Sequence, residues 1–173
     1  MYFFESYVDC IVQNRKGECK MKKSIQEHIT LLSPTDIIIA PIQINYDNDE
    51  DAANHVEINL TYNGVIYQGK GTDHLWVDAF VALQNRLPKG IKLACCMTCR
   101  HGNMCPYGNR ENQLFCTKDL VISSKEDMVD LFNNTDPFSE RIVSAIKYCE
   151  GFIYQSNHSY TYNDFLYYLE KKP

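Results

Sequence analysis

At 173 residues, with 45% hydrophobic and 23% charged side chains, the chain has the make-up of a soluble globular protein able to build one real core. A formal net charge of -5 disfavours a general attraction to DNA or anionic membrane, and no run approaches the roughly 18 apolar residues of a membrane span. Met1-Tyr2-Phe3-Phe4-Glu5 has neither a basic start nor a long apolar stretch, so no signal peptide is expected and the protein reads as cytoplasmic.

From Tyr2 to Val12 the pattern alternates as in a strand, with Phe4, Val8, Cys10 and Val12 on one face, and Asn14 to Glu18 reads as a turn. Cys10 and Cys19 stand alone and read as buried small hydrophobes. Lys20 to Leu32 is ambiguous: Met21, Ile25, Ile29 and Leu32 fit a helix whose wet side carries Lys22, Lys23, Gln26 and Glu27. Ser33-Pro34 ends it. Ile37 to Ile39, Ile42, Ile44 and Tyr46 read as a strand, and Pro41, which has no N–H to give a ladder, places that strand at an edge or a bulge. The acidic run Asp47 to Asp51 lacks the ligand spacing and glycine of a calcium loop and reads as a solvated connector.

Val56 to Lys70 is a hairpin. Asn63-Gly64 suits a two-residue type I′ turn, because both central residues need positive φ. That turn sets Tyr62 opposite Val65, Leu60 opposite Tyr67 and Ile58 opposite Gly69, with Val56, Ile58, Leu60, Tyr62, Val65 and Tyr67 on the buried face. Thr72 or Asp73 caps the helix that follows. Its stripe of Trp76, Ala79, Phe80, Leu83 and Leu87 is expected to lie on that face, and Pro88 and Gly90 stop it. Ile91 to Ala94 returns as a short strand. Later, Leu120 to Ile122 suggests another strand, and Ser123 or Ser124 with Glu126 or Asp127 is a capping box opening a helix through Met128, Leu131 and Phe132. Ile142 to Cys149 fits helix and strand equally, Asn157-His158-Ser159 is a turn, and Thr161 to Lys172 reads as a helix in a tyrosine-rich end.

Between these elements, Cys95 to Cys116 holds five of the eight cysteines. Cys96 and Cys99 are spaced C-x2-C, and two sulfurs so placed bite one metal ion when the backbone between them turns tightly. Crowding into one loop, in a chain with enough apolar residues for a core, favours reduced thiols and a metal over a disulfide framework. Candidate ligands are Cys96, Cys99, Cys105, Cys116, Cys149 and His101, while Cys95 packs inward if Cys96 points at the metal. An iron–sulfur cluster also takes four thiolates, but the wide spacings on either side of Cys105 fit ferredoxin runs poorly. A redox C-x2-C belongs at a helix start, whereas a Gly/Pro-rich loop follows here. Arg100, His101, Arg110 and Lys118 surround the cysteines and suit either charge compensation or phosphate contact.

Residues Cys96, Cys99, Pro106-Tyr107-Gly108-Asn109, Cys116, Cys149 and Phe152 resemble a family of bacterial proteins with no established activity, over about Ile91 to Phe152. That family carries a C-x2-C, a Pro-Tyr-Gly-Asn turn, a further Cys and a last Cys followed by an aromatic. The resemblance implies a metal site of Cys96, Cys99, Cys116 and Cys149. Cys105 departs from the pattern and stands as the alternate ligand.

The whole predicts an α+β fold: a mostly antiparallel sheet with helices packed on one face and a cysteine-rich metal-binding loop. It reads as a single domain over 1–173, with sub-units at 1–46 (an N-terminal strand region), 56–152 (hairpin, helix and metal loop) and 153–173 (a C-terminal helix). No phosphate loop, nucleophile elbow or H-E-x-x-H pattern is present, and no catalytic residue is assigned. The expected function is a cytosolic bacterial or phage-type binding protein with a structural four-cysteine zinc and a protein partner. Its rivals are a nucleic-acid-binding protein using Arg100, Arg110, Lys118 and Tyr107, and an enzyme or iron–sulfur redox sensor.

Overall fold

The structure, a computed structural model, describes residues 6–7, 21–49, 52–71, 75–107, 113–134 and 138–171. Most of the strand and turn expected before Lys20 lies outside these residues, as do Cys10, Cys19, the helix caps Thr72 and Asp73, and Arg110. The described chain is mixed α+β, with nine strands and three helices, and each strand pair whose register is given is antiparallel. No described helix is long and apolar enough to cross a membrane. Two compact units interleave along the sequence, one from Met1–His28 and Ile39–Pro88, the other from Ile29–Ile38 and Lys89–Pro173.

The first unit is a sheet and a helix. Strands β1 (Ser6–Tyr7), β2 (Met21–Leu32), β3 (Ile37–Asp49), β4 (Ala52–Tyr62) and β5 (Val65–Lys70) follow one another in sheet order. Asn63 and Gly64 make the β4–β5 turn with φ of 52° and 75°, and the ladder pairs Tyr62 with Val65, Leu60 with Tyr67 and Ile58 with Gly69, as the turn chemistry requires. Helix α1 (Leu75–Arg86) packs on β4 and β5. Its Trp76, Ala79, Phe80 and Leu83 are buried with Ile42, Ile44, Val56, Ile58 and Leu60, and Trp76 meets the Tyr46 ring at 5.5 Å between centroids. Val65, expected on the buried face, is instead 51% exposed beside the turn, where the sheet ends.

Three expectations are corrected here. Met21 to Leu32 is a strand and not a helix. Ile25 and Ile29 are two strand periods apart as well as one helical turn, so their spacing suits both; the partners decide, with Thr30, Leu31 and Leu32 pairing Ala94, Leu93 and Lys92. Second, β3 lies inside the sheet order, between β2 and β4. The described β3–β4 ladder begins at Ile42, one residue beyond Pro41, so the proline owes no N–H to that ladder. Third, Asp47–Asp49 continues β3 through a register shift instead of forming a loop.

The second unit carries the six described cysteines, from Cys95 to Cys149. The end of β2 pairs with β6 (Lys92–Ala94), and a small antiparallel sheet joins β7 (Gly102–Asn103), β8 (Gln113–Cys116) and β9 (Ile142–Ser144). Helix α2 (Lys125–Asn134) opens with the expected capping box: Asp127 N–H donates to Ser124 Oγ at 3.2 Å, and Asp127 Oδ2 accepts from Ser124 N–H at 3.0 Å. Its Phe132 stands edge-on to Phe115 of β8 at 4.7 Å. Leu120 to Ile122 is not a strand; it has no ladder partner among the described residues, and Val121 is 91% exposed. Helix α3 spans Phe165–Lys171, shorter than the Thr161 start expected, because Asn163 Oδ1 accepts the Phe165 N–H at 3.1 Å and starts the helix there.

Candidate metal centre

Strand β6 delivers the chain to the cysteines. Leu93 and Ala94 are fully buried in the β2–β6 ladder, so the residues that follow start from a fixed point. Cys95 is extended, and a 3-10 turn then covers Cys96–Thr98. Thr98 locks the entry: its hydroxyl donates to the Leu93 carbonyl at 2.7 Å while the Cys95 N–H donates to its Oγ1 at 3.3 Å. The turn closes through Cys99 N–H to the Cys96 carbonyl at 3.2 Å and Gly102 N–H to the Cys99 carbonyl at 3.0 Å. The chain doubles back so tightly that a Cβ on Gly102 would fall 2.0 Å from the Cys96 carbonyl oxygen. Glycine is therefore the side chain the turn admits.

Cys116 ends β8, directly opposite Gly102 in the β7–β8 ladder. Arg141 donates to the Cys116 carbonyl at 3.1 Å and grips Asp119 at 2.7 and 3.1 Å, which fixes the chain just past the sulfur. Cys149 comes from the loop after β9. Cys96 N–H donates to the Lys147 carbonyl at 2.7 Å and Met97 N–H to the Ala145 carbonyl at 2.9 Å, so that loop is bonded to the 3-10 turn itself. Cys96, Cys99, Cys116 and Cys149 thereby line one small pocket, together with His101, Gly102, Lys118 and Gly151.

Cys105 does not line that pocket; it is half-buried in the coil after β7. Cys95 is fully buried and lies beside Thr98, its Sγ 3.9 Å from the hydroxyl oxygen. Of the four residues expected to balance charge, His101 and Lys118 line the pocket, Arg100 is exposed, and Arg110 is outside the described residues. Among the described residues, no three His, Cys, Asp or Glu side chains already stand in a metal-holding arrangement, so four sulfurs that share a pocket would have to draw in around an ion.

The electrostatics of the pocket come from burial and crowding. Complete burial pushes the Cys95 thiol up to about 12. Cys96 is also raised, first by burial and then by the neighbouring sulfurs of Cys95, Cys99, Cys116 and Cys149. Burial raises Cys99 as well, against the Ile153 and His101 N–H groups, which favour its thiolate. Thiols so crowded ionise together only when a positive charge stands among them. His101 is held below its ordinary value by burial and by the Arg100 guanidinium.

Three buried residues whose role the sequence did not show stand behind the cysteine turn. Asn103, Gln155 and Asn163 are buried polar side chains, and each hydrogen-bonds across the boundary between the cysteine turn and the C-terminal segment. Their only sequence signal is a polar amide set among apolar and aromatic neighbours, with no spacing rule to join them. Comparison with known protein families, with curated proteins and with solved structures finds no match to this chain.

Proposed function

We propose that Cys96, Cys99, Cys116 and Cys149 hold one zinc ion in a closed structural site, and that the protein is a binding protein whose partner is another protein. The observation that carries the metal site is that four cysteines from three separate stretches line one pocket, with no carboxylate among its described lining residues. Four soft sulfur donors suit zinc, at about 2.3 Å from each sulfur, and leave no open position for an attacking water. Such an ion ties the loop after β9 to the 3-10 turn and to the end of β8, and its binding free energy becomes folding free energy. The binding role is supported by the chemistry of the pocket, where, among the described residues, His101 and Lys118 are the only titratable side chains besides the thiols.

The nucleic-acid reading has less support. The Tyr107 hydroxyl donates to Asn133 Oδ1 at 2.8 Å and its ring meets Phe132 edge-on at 6.2 Å, which ties this 61% exposed ring to α2.

Elemental analysis of protein purified without added metal tests the site, with Cys96→Ser, Cys105→Ser and Cys149→Ser alongside. About one zinc per chain, kept in Cys105→Ser and lost in the other two, is the expected result. Iron with visible absorbance replaces zinc by an iron–sulfur cluster, and absence of any metal sinks the site. A labelled oligonucleotide at low salt is expected to show no shift.

A further inference from the structure

The chain from Ile153 to Lys171 lies against the cysteine turn and is held there mainly by polar bonds. Arg100 N–H donates to the Ile153 carbonyl at 2.8 Å, Gln155 N–H to the Thr98 carbonyl at 3.0 Å and Met104 N–H to the Tyr162 carbonyl at 2.7 Å. Three carboxamides, 1–7% exposed, join the two sides. Asn163 Nδ2 donates to the carbonyls of Met97 at 2.8 Å and Gly102 at 3.0 Å while its Oδ1 accepts the Phe165 N–H. Gln155 Nε2 donates to the Met97 carbonyl at 3.2 Å while its Oε1 accepts the Leu166 N–H at 3.2 Å. From the other side, Asn103 Oδ1 accepts the Tyr162 N–H at 2.7 Å.

Gln155 and Asn163 thus each bond at one end to the turn that bears Cys96 and Cys99 and at the other to the C-terminal segment, while Asn103 holds Tyr162 and donates its Nδ2 to Thr117 Oγ1 at 2.8 Å. The segment has little order of its own to bring: α3 has seven residues, too few for a stable isolated helix, and Phe165 is its one fully buried side chain. Buried amides in such a network are costly once their partners move, so the turn and the segment order together or not at all.

We propose that residues 153–171 are a metal-coupled strap. Asn163 and Gln155 are positioning residues that hold the Met97 and Gly102 carbonyls, and through them the Cys96–Cys99 turn, in the form that takes the ion; loss of the ion frees the strap. This rests on the zinc site proposed above.

The test uses the full-length protein and two single-atom exchanges. Asn163→Asp keeps the oxygen that caps α3 and removes the donor to Met97 and Gly102. Gln155→Glu does the same between Leu166 and Met97. Competition with a chelator of known affinity is expected to show zinc held about 10–100-fold more weakly in each variant, the scale set by losing a residue that orients ligands. Hydrogen exchange on the unmutated protein needs no variant to fold. With zinc bound, the Tyr162 and Leu166 amides are expected to be protected, and removal of zinc speeds their exchange by about tenfold or more while Ile58 and Leu60 are unchanged. Wild-type zinc affinity in both variants, or exchange at Tyr162 and Leu166 indifferent to zinc, overturns the strap and leaves the zinc site standing. A wild-type protein that holds no zinc overturns both.

Discussion

Gly102→Ala perturbs the cysteine turn while leaving every sulfur in the chain. The added Cβ would lie 2.0 Å from the Cys96 carbonyl oxygen and 3.0 Å from its carbon, where ordinary contact begins at 3.4 Å. The shortfall against the oxygen is 3.4 minus 2.0, or 1.4 Å. The Cys96 carbonyl accepts the Cys99 N–H, so it cannot swing away without opening the turn. Metal–sulfur distances in a formed site stay within about 0.2 Å of their usual value, several times less than the required shift. Zinc occupancy should therefore fall well below one per chain in protein purified without added metal. The metal-free chain should lose about 1–3 kcal/mol from overpacking, at about 2–4 °C of melting temperature per kcal/mol for a chain of this size. Trp76, the only tryptophan, belongs to the first unit and provides the control, since its fluorescence should be unchanged in the native state. A Gly102→Ala protein with wild-type zinc content and melting temperature would refute the close approach and the site built on it.

Gly69→Ala should destabilise the first unit and leave the cysteine pocket alone. Its Cβ would meet the Ala79 carbonyl oxygen at 2.0 Å and the Leu83 nitrogen at 2.8 Å, forcing α1 off β5. A loss of about 1–3 kcal/mol, read by Trp76 fluorescence in urea, is expected with zinc content unaltered; an unchanged midpoint would contradict that packing. Ser124→Ala removes the acceptor of the Asp127 N–H and should cost about 1 kcal/mol, measured as a lower melting temperature. Glu57 is held below the usual carboxylate value by the Asn59 amide and then by Lys70, 3.1 Å away. Its contribution is present above the unfolded-state pKa and is lost as pH falls through the lower folded one. Glu57→Gln should therefore flatten the acid limb of the stability curve by a few tenths of a kcal/mol, and an unaltered limb would show that the pair contributes nothing.

Much of the first unit was legible because its information is local. Asn63-Gly64 sets the hairpin register without help from the rest of the chain, and the stripe from Trp76 to Leu83 names the face of α1 that is buried on it. Ser124 and Asp127 begin α2 by bonding each other's backbone three residues apart. Local spacing failed where two periods coincide. Ile25 and Ile29 suit a helix and a strand alike, and Leu93 in β6, more than sixty residues on, decides for the strand by pairing Leu31. Ile142 to Cys149 was balanced between helix and strand for the same reason; the ladder of β9 on β8 resolves its first three residues.

By itself, then, the sequence determined the elements whose hydrogen bonds close within a few residues: the turn, the capped helix, the amphipathic stripe and the C-x2-C pair. Tertiary structure decided which distant groups meet. The β8 and β9 ladders and the bonds from the 3-10 turn to Ala145 and Lys147 bring Cys116 and Cys149 to the pocket of Cys96 and Cys99, and leave Cys105 outside it, although Cys105 is far nearer in sequence. The same holds for Gln155 and Asn163, whose carbonyl acceptors lie 56–66 residues away. A side-chain amide carries no periodicity that could point to a carbonyl so remote; only the packed chain places the donor within 3 Å of its acceptor.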